Sequence, residues 1–153
     1  MSDTLSAIGA LLVQQQWEVS EQSVRLADAH AQHARLSRSR ADLQIQLERI
    51  QAEIARNGGG GARFDPGVRD WLFGQHLLAT NTLGRLEVEV ASAEGSVTAA
   101  AAELGRRRVR EQHLAEALRK EQLQVALSIE AREMQLATDM HGQRALSSRR
   151  NPQ

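Results

Sequence analysis

A heptad seam runs almost unbroken from Leu5 to Ile54. Its positions are Leu5, Ile8, Leu12, Gln15, Val19, Gln22, Leu26, Ala29, His33, Leu36, Arg40, Leu43, Leu47, Ile50 and Ile54, spaced alternately by three and four residues. Of these 15 positions, 11 are apolar, so one narrow stripe of a helix is apolar along the whole stretch. A repeat of about 3.5 residues keeps such a stripe facing a partner helix while the two supercoil. The stripe buries little until a second helix covers it. The chain is therefore expected to be a coiled coil that works by making contacts rather than by catalysis.

The rest of the chain supplies the second helix. Leu83, Leu86, Val90, Ala93, Val97, Ala100, Leu104, Arg107, Glu111, Leu114 and Leu118 repeat the same spacing, and nine of these 11 are apolar. Beyond them Leu123, Leu127, Met134 and Ala137 leave that register. Between the seams stand Asn57 and glycines 58–61, a run that makes continued helix costly and suits a helix C-terminus. Phe64-Asp65-Pro66 follows, with Asp65 placed as N-cap and Pro66 in the first turn, where its missing N–H had no partner to lose.

A short glycine connection favours antiparallel neighbours. The expected fold is all-α: a long two-helix antiparallel coiled-coil hairpin with a C-terminal helical overhang. It is read as a single coiled-coil hairpin, with helix one at about 4–56, a glycine hinge at 57–64, helix two at about 65–146 and a disordered tail at 147–153. Folding at the glycines lays residues 4–56 against roughly 66–118, so the last part of helix two has no partner from this chain over roughly 40 Å. Gly74, Gly84, Gly95 and Gly105 lie inside helix two. Each costs about 1 kcal/mol against Ala unless close approach of the helices requires it.

Composition agrees with long helices. Aromatic residues make up 3 % of the chain, too few for an ordinary compact core, and Pro66 and Pro152 are the two prolines. The 19 basic and 19 acidic residues cancel, which disfavours whole-chain attraction to nucleic acid or to an anionic membrane. No cysteine is present, so no disulfide or thiol chemistry is possible. The start Met1-Ser2-Asp3 has no basic region before an apolar run, and neither a signal peptide nor a membrane span is expected.

No constellation for chemistry stands out. The glycine run lacks the Lys-Ser/Thr of a phosphate-binding loop and reads as a turn. His30 and His33 have a spacing that can hold a metal, but no third ligand is well placed, and His33 falls on the seam, where a polar residue fixes register. No paired carboxylates suit acid–base work. An enzyme, a cofactor and a metal site are not expected.

Three groups of residues suit contact with a partner. Phe64, Trp71, Leu72, Phe73, His76, Leu77 and Leu78 gather beside the hinge. Trp71, Leu72 and Phe73 are consecutive, so they cannot all face helix one, and at least one is expected on the surface. Arg106, Arg107, Arg108 and Arg110 are the densest charge in the chain. They read either as a solvated stretch paired with Glu103, Glu111 and Glu116 or as a docking patch for an acidic protein surface. Nucleic acid is disfavoured by the absence of interleaved aromatics. Leu123, Leu127, Met134 and Met140 sit on the overhang, apolar and without an intramolecular partner.

The order of a heptad helix, a glycine break, a Trp-led restart, an Arg-rich stretch and a terminal helix ending in Met and basic residues resembles the FliJ/YscO family of the type III export apparatus. The resemblance covers nearly the whole chain. Its most specific parts are Arg69-Asp70-Trp71 through Leu78 and the run from Leu104 to Ala145, LGRRRVREQHLAEALRKEQLQVALSIEAREMQLATDMHGQRA. The resemblance implies a small cytoplasmic coiled coil, peripheral to the inner-membrane secretion apparatus, flagellar or Hrp-type, and similar to the central stalk of rotary ATP synthases. Its implied partners are the hexameric export ATPase, the cytoplasmic domain of an export gate membrane protein, and export chaperones, with no nucleic acid and no direct membrane insertion. By this likeness the ATPase end comprises Leu5, Ile8, Leu11 and Leu12 with Arg119, Leu123, Leu127, Met134 and Met140. Phe64, Trp71, Phe73, His76 and Leu77 become the gate or chaperone side. The four-glycine loop and the lack of Tyr depart from the family pattern. The competing expectation is a generic coiled-coil adaptor or chaperone-like scaffold without ATPase coupling.

Overall fold

The computed structural model describes residues 2–58 and 64–150, so most of the expected glycine hinge, residues 59–63, and the tail residues 151–153 lie outside the described residues. The chain is all-α, a helical hairpin of two long helices packed against each other: α1 (Ser2–Gly58) and α2 (Pro66–Arg150). Helix α2 thus continues past the expected end near 146 and takes in residues 147–150 of the segment read as tail. Its last turn carries Arg149 and Arg150, which complement the negative end of the helix dipole.

The α2 start is built as its residues dictate. The Asp65 carboxylate accepts from the Gly67 N–H at 2.9 Å and the Val68 N–H at 3.4 Å, while the Arg69 N–H donates to the Asp65 carbonyl at 3.0 Å. Three first-turn donors are satisfied in this way, and Pro66 contributes none. Farther along, the hydroxyls of Thr80, Thr82, Ser96 and Thr98 donate to carbonyls one turn back, which satisfies them by sharing an acceptor with the helix ladder.

The chain divides into two compact units. The larger is Ser20–Gly105. Among the described residues, every side chain classed as buried belongs to it: Gln22, Leu72, Ala79, Val90, Ala93 and Leu104. Its α1 positions Gln22, Leu26, Ala29, His33, Leu36, Arg40, Leu43, Leu47, Ile50 and Ile54 are all buried or half-buried. On α2 the corresponding series is Leu72, His76, Ala79, Leu83, Leu86, Val90, Ala93, Val97, Ala100 and Leu104, also buried or half-buried throughout. The helices meet in reverse order. Gln51 Nε2 lies 3.5 Å from His76 Nε2, His33 Nε2 lies 3.3 Å from Glu94 Oε1, and Gln22 Nε2 donates to the Ala100 carbonyl at 3.3 Å. Gln22 is 6 % exposed, and this bond offsets the desolvation of its amide.

The second unit is Met1–Val19 with Arg106–Gln153. In it Leu5, Ile8, Leu12, Gln15 and Val19 of α1 are half-buried, as are Arg107, Glu111, Leu114, Leu118, Glu121, Val125 and Ser128 of α2. The three-four spacing therefore persists for ten residues beyond Leu118, where apolar side chains alone had suggested a slip. Glu121 and Ser128 hold the inner positions although neither is apolar, and Leu123 and Leu127 are exposed. From 129 to 150 every residue is exposed.

Candidate partner-binding surfaces

At the hinge end of the larger unit, consecutive residues divide between core and surface. Leu72 is 6 % exposed, whereas Trp71 and Phe73 are 63 % and 47 % exposed. At about 100° per residue, Trp71 shares a flank with Leu78, while Phe73 shares the other with Leu77. All four of these flanking side chains lie on the surface, together with Phe64. His76 is half-buried on the inner face against Gln51, so it stands apart from the exposed members of its group. The guanidinium of Arg69 lies 5.7 Å from the Phe64 ring centre and 5.4 Å from that of Phe73. One cation thus links two rings. These three side chains, with Ile54, Asn57 and Leu72, line a cleft of about 330 Å³.

The arginine stretch belongs to the second unit and does not form one face. Arg106 and Arg110, four apart, share a side of α2, and Arg108 points elsewhere. Arg107 faces inward: its Nη1 lies 3.0 Å from Glu18 Oε2, with the side chains 24 % and 22 % exposed. Glu18 is on α1, so this contact runs from helix to helix, whereas Glu103, Glu111 and Glu116 belong to α2 itself. Gln15 Nε2 donates to the same Glu18 Oε2 at 3.0 Å, and Gln15 Oε1 is buried without a hydrogen-bond partner. This polar group occupies seam positions 15 and 107, where two-helix packing alone would favour apolar side chains.

In the same unit, Leu5, Ile8 and Leu12 are half-buried on the inner face, and Leu11 is exposed. Arg119, Leu123, Leu127, Met134 and Met140 are exposed. Helical geometry divides the last four. Leu123, Leu127 and Met134 share one flank, and Met140 lies about 120° away with Ile129 and Leu136. Ile129, Leu136 and Leu146 were not singled out from sequence, nor were Val13 and Trp17, although each is at least half exposed. The signal for them was present as apolar residues lying off the seam at helical spacing.

Among the described residues no group of three or more His, Cys, Asp or Glu could hold a metal ion. His33 is engaged with Glu94 across the hairpin and His30 is exposed. Among the described residues no helix is long and apolar enough to cross a membrane. Both helices thus offer side chains for contact along their flanks and at the far end of α2. No family model, curated protein or solved structure matches this chain.

Proposed function

We propose that this chain is the central stalk of a bacterial type III secretion export ATPase, an antiparallel coiled-coil hairpin whose α2 overhang engages the hexamer. In this reading it acts in the cytoplasm beside the inner-membrane apparatus, promotes hexamer assembly, and links the ATPase to the export gate and its chaperones. The observation that carries the reading is the end of α2: residues 129–150 are helical and exposed throughout, yet they hold Ile129, Met134, Leu136, Met140 and Leu146. A helix end with exposed apolar side chains on more than one flank is what a ring pore would receive. The exposed set Phe64, Trp71, Phe73 and Leu77 is available for the gate or a chaperone.

The test is ATP hydrolysis by the cognate export ATPase with and without the chain, with hexamer formation followed in the same samples. The expected result is stimulation with more hexamer, lost when the chain is cut after Ser128. Among the described residues a cut there removes none that is half-buried, so the truncated hairpin serves as a folded control. A folded chain that neither binds nor stimulates the ATPase overturns the stalk reading and favours the adaptor, to be sought with export chaperones.

A further inference from the structure

Gln124, Leu127, Ala131, Met134, Thr138, His141, Ala145 and Ser148 repeat at alternating three and four residues along the end of α2. Each of these side chains is exposed. The segment 124–148 contains five residues of Asp, Glu, Lys or Arg: Glu130, Arg132, Glu133, Asp139 and Arg144. None of them falls on the stripe. A heptad stripe of about 36 Å free of these charges, most of it on the wholly exposed stretch of α2, is a second seam for another helix.

We infer that the occupant of this second seam is the same segment of a second copy of the chain, packed antiparallel about a two-fold axis near residue 136. The arrangement of side chains argues for it. The stripe mirrors onto itself about that point. Met134 faces Thr138 of the second copy, Leu127 faces Ala145, and Ala131 faces His141, so larger side chains meet smaller ones. Antiparallel pairing also places Glu130 beside Arg144 of the second copy, and two-fold symmetry makes that contact twice. Near the axis the flanking positions are Ala137 and Gln135, which bring no like charges together. A parallel pair in register would instead set Arg144 beside Arg149 of the second copy and leave Glu130 beside Gln135. Charge complementarity therefore selects both the orientation and the register. A specific interface buries roughly 800 Å² per partner over some 20–30 residues a side, and a single helix of this length reaches the low end of that range. The dimer is accordingly reversible and concentration-dependent. The inference does not rest on the stalk reading, and its test contains no ATPase.

Sedimentation equilibrium of the full chain over a range of concentrations tests it. The expected result is a monomer–dimer equilibrium, weakened about tenfold by Glu130→Arg or by Arg144→Glu and restored when both are present, because reversal of both charges recreates the pair. Met134→Glu is expected to abolish the dimer. These positions are exposed, so far-UV circular dichroism of each variant should match the parent. A chain that is monomeric throughout overturns the inference, including one whose stripe binds only a foreign helix. So does a dimer that neither single reversal weakens.

Discussion

Arg107 on α2 reaches Glu18 on α1 with 3.0 Å between Nη1 and Oε2. Both residues carry charge into a layer that a two-helix seam would ordinarily fill with Leu or Ile. Gln15 donates to the same carboxylate oxygen. A charged group that meets its complement on the facing helix in only one alignment favours that register, since a shift along the helices separates Arg107 from Glu18.

That role is measurable. A double-mutant cycle with Arg107→Ala and Glu18→Ala should give a coupling energy of about 1–2 kcal/mol, above an exposed pair because both side chains are mostly covered. Urea unfolding of the four proteins checks it. A coupling indistinguishable from zero would mean that the contact contributes nothing to holding the helices in register.

Val90 is 2 % exposed and Val88 is 71 % exposed, two residues apart on one helix. Val90→Asp should cost about 4 kcal/mol or more by burying an unpaired carboxylate, whereas Val88→Asp should stay within about 0.5 kcal/mol. Equal loss of thermal stability in the two variants would contradict the inner face assigned to α2.

Gly84, Gly95 and Gly105 sit in the middle of α2, and a Cβ added at any of them meets nothing within 4 Å. Their presence is not explained by close approach of the helices. Replacement by Ala should stabilise by about 0.8–1 kcal/mol at each site, and the three should add because they are far apart. The melting temperature of the triple variant is the readout, and a decrease would show that one of these glycines bends or hinges the helix.

Trp71 and Leu72 are neighbours with opposite exposure. Leu72→Ser should cost about 2–4 kcal/mol through the lost core volume and a poorly satisfied hydroxyl. Trp71→Ser should leave melting unchanged and, if the proposed stalk function holds, weaken capture of a gate or chaperone partner. A Trp71 variant that melts early would place the ring in the core rather than at a contact surface.

The seam of α1 was legible in full. Each of the 15 positions from Leu5 to Ile54 is buried or half-buried, including the polar Gln15, Gln22, His33 and Arg40. The middle of the α2 seam was legible for the same reason, since Leu, Val and Ala recur there at the heptad spacing. Its two extensions were not. Upstream, His76 and Ala79 give a weak apolar signal beside the bulkier Trp71, Phe73 and Leu77, which are exposed. Downstream, Glu121 and Ser128 occupy inner positions while Leu123 and Leu127 point outward.

The sequence alone determined both helices, apart from residues 147–150 that it read as tail, because helix propensity, the Asp65-Pro66 start and the hydrophobic period are local and require no partner. It likewise determined which face of α1 is covered, because that stripe is long enough to outweigh its polar interruptions. Only the tertiary structure decided how far the inner face of α2 extends, and with it the inner places of Glu121 and Ser128 and the pairing of Arg107 with Glu18. Those outcomes depend on where the second helix runs, and a covering helix buries whatever residue the heptad spacing delivers to it, apolar or not.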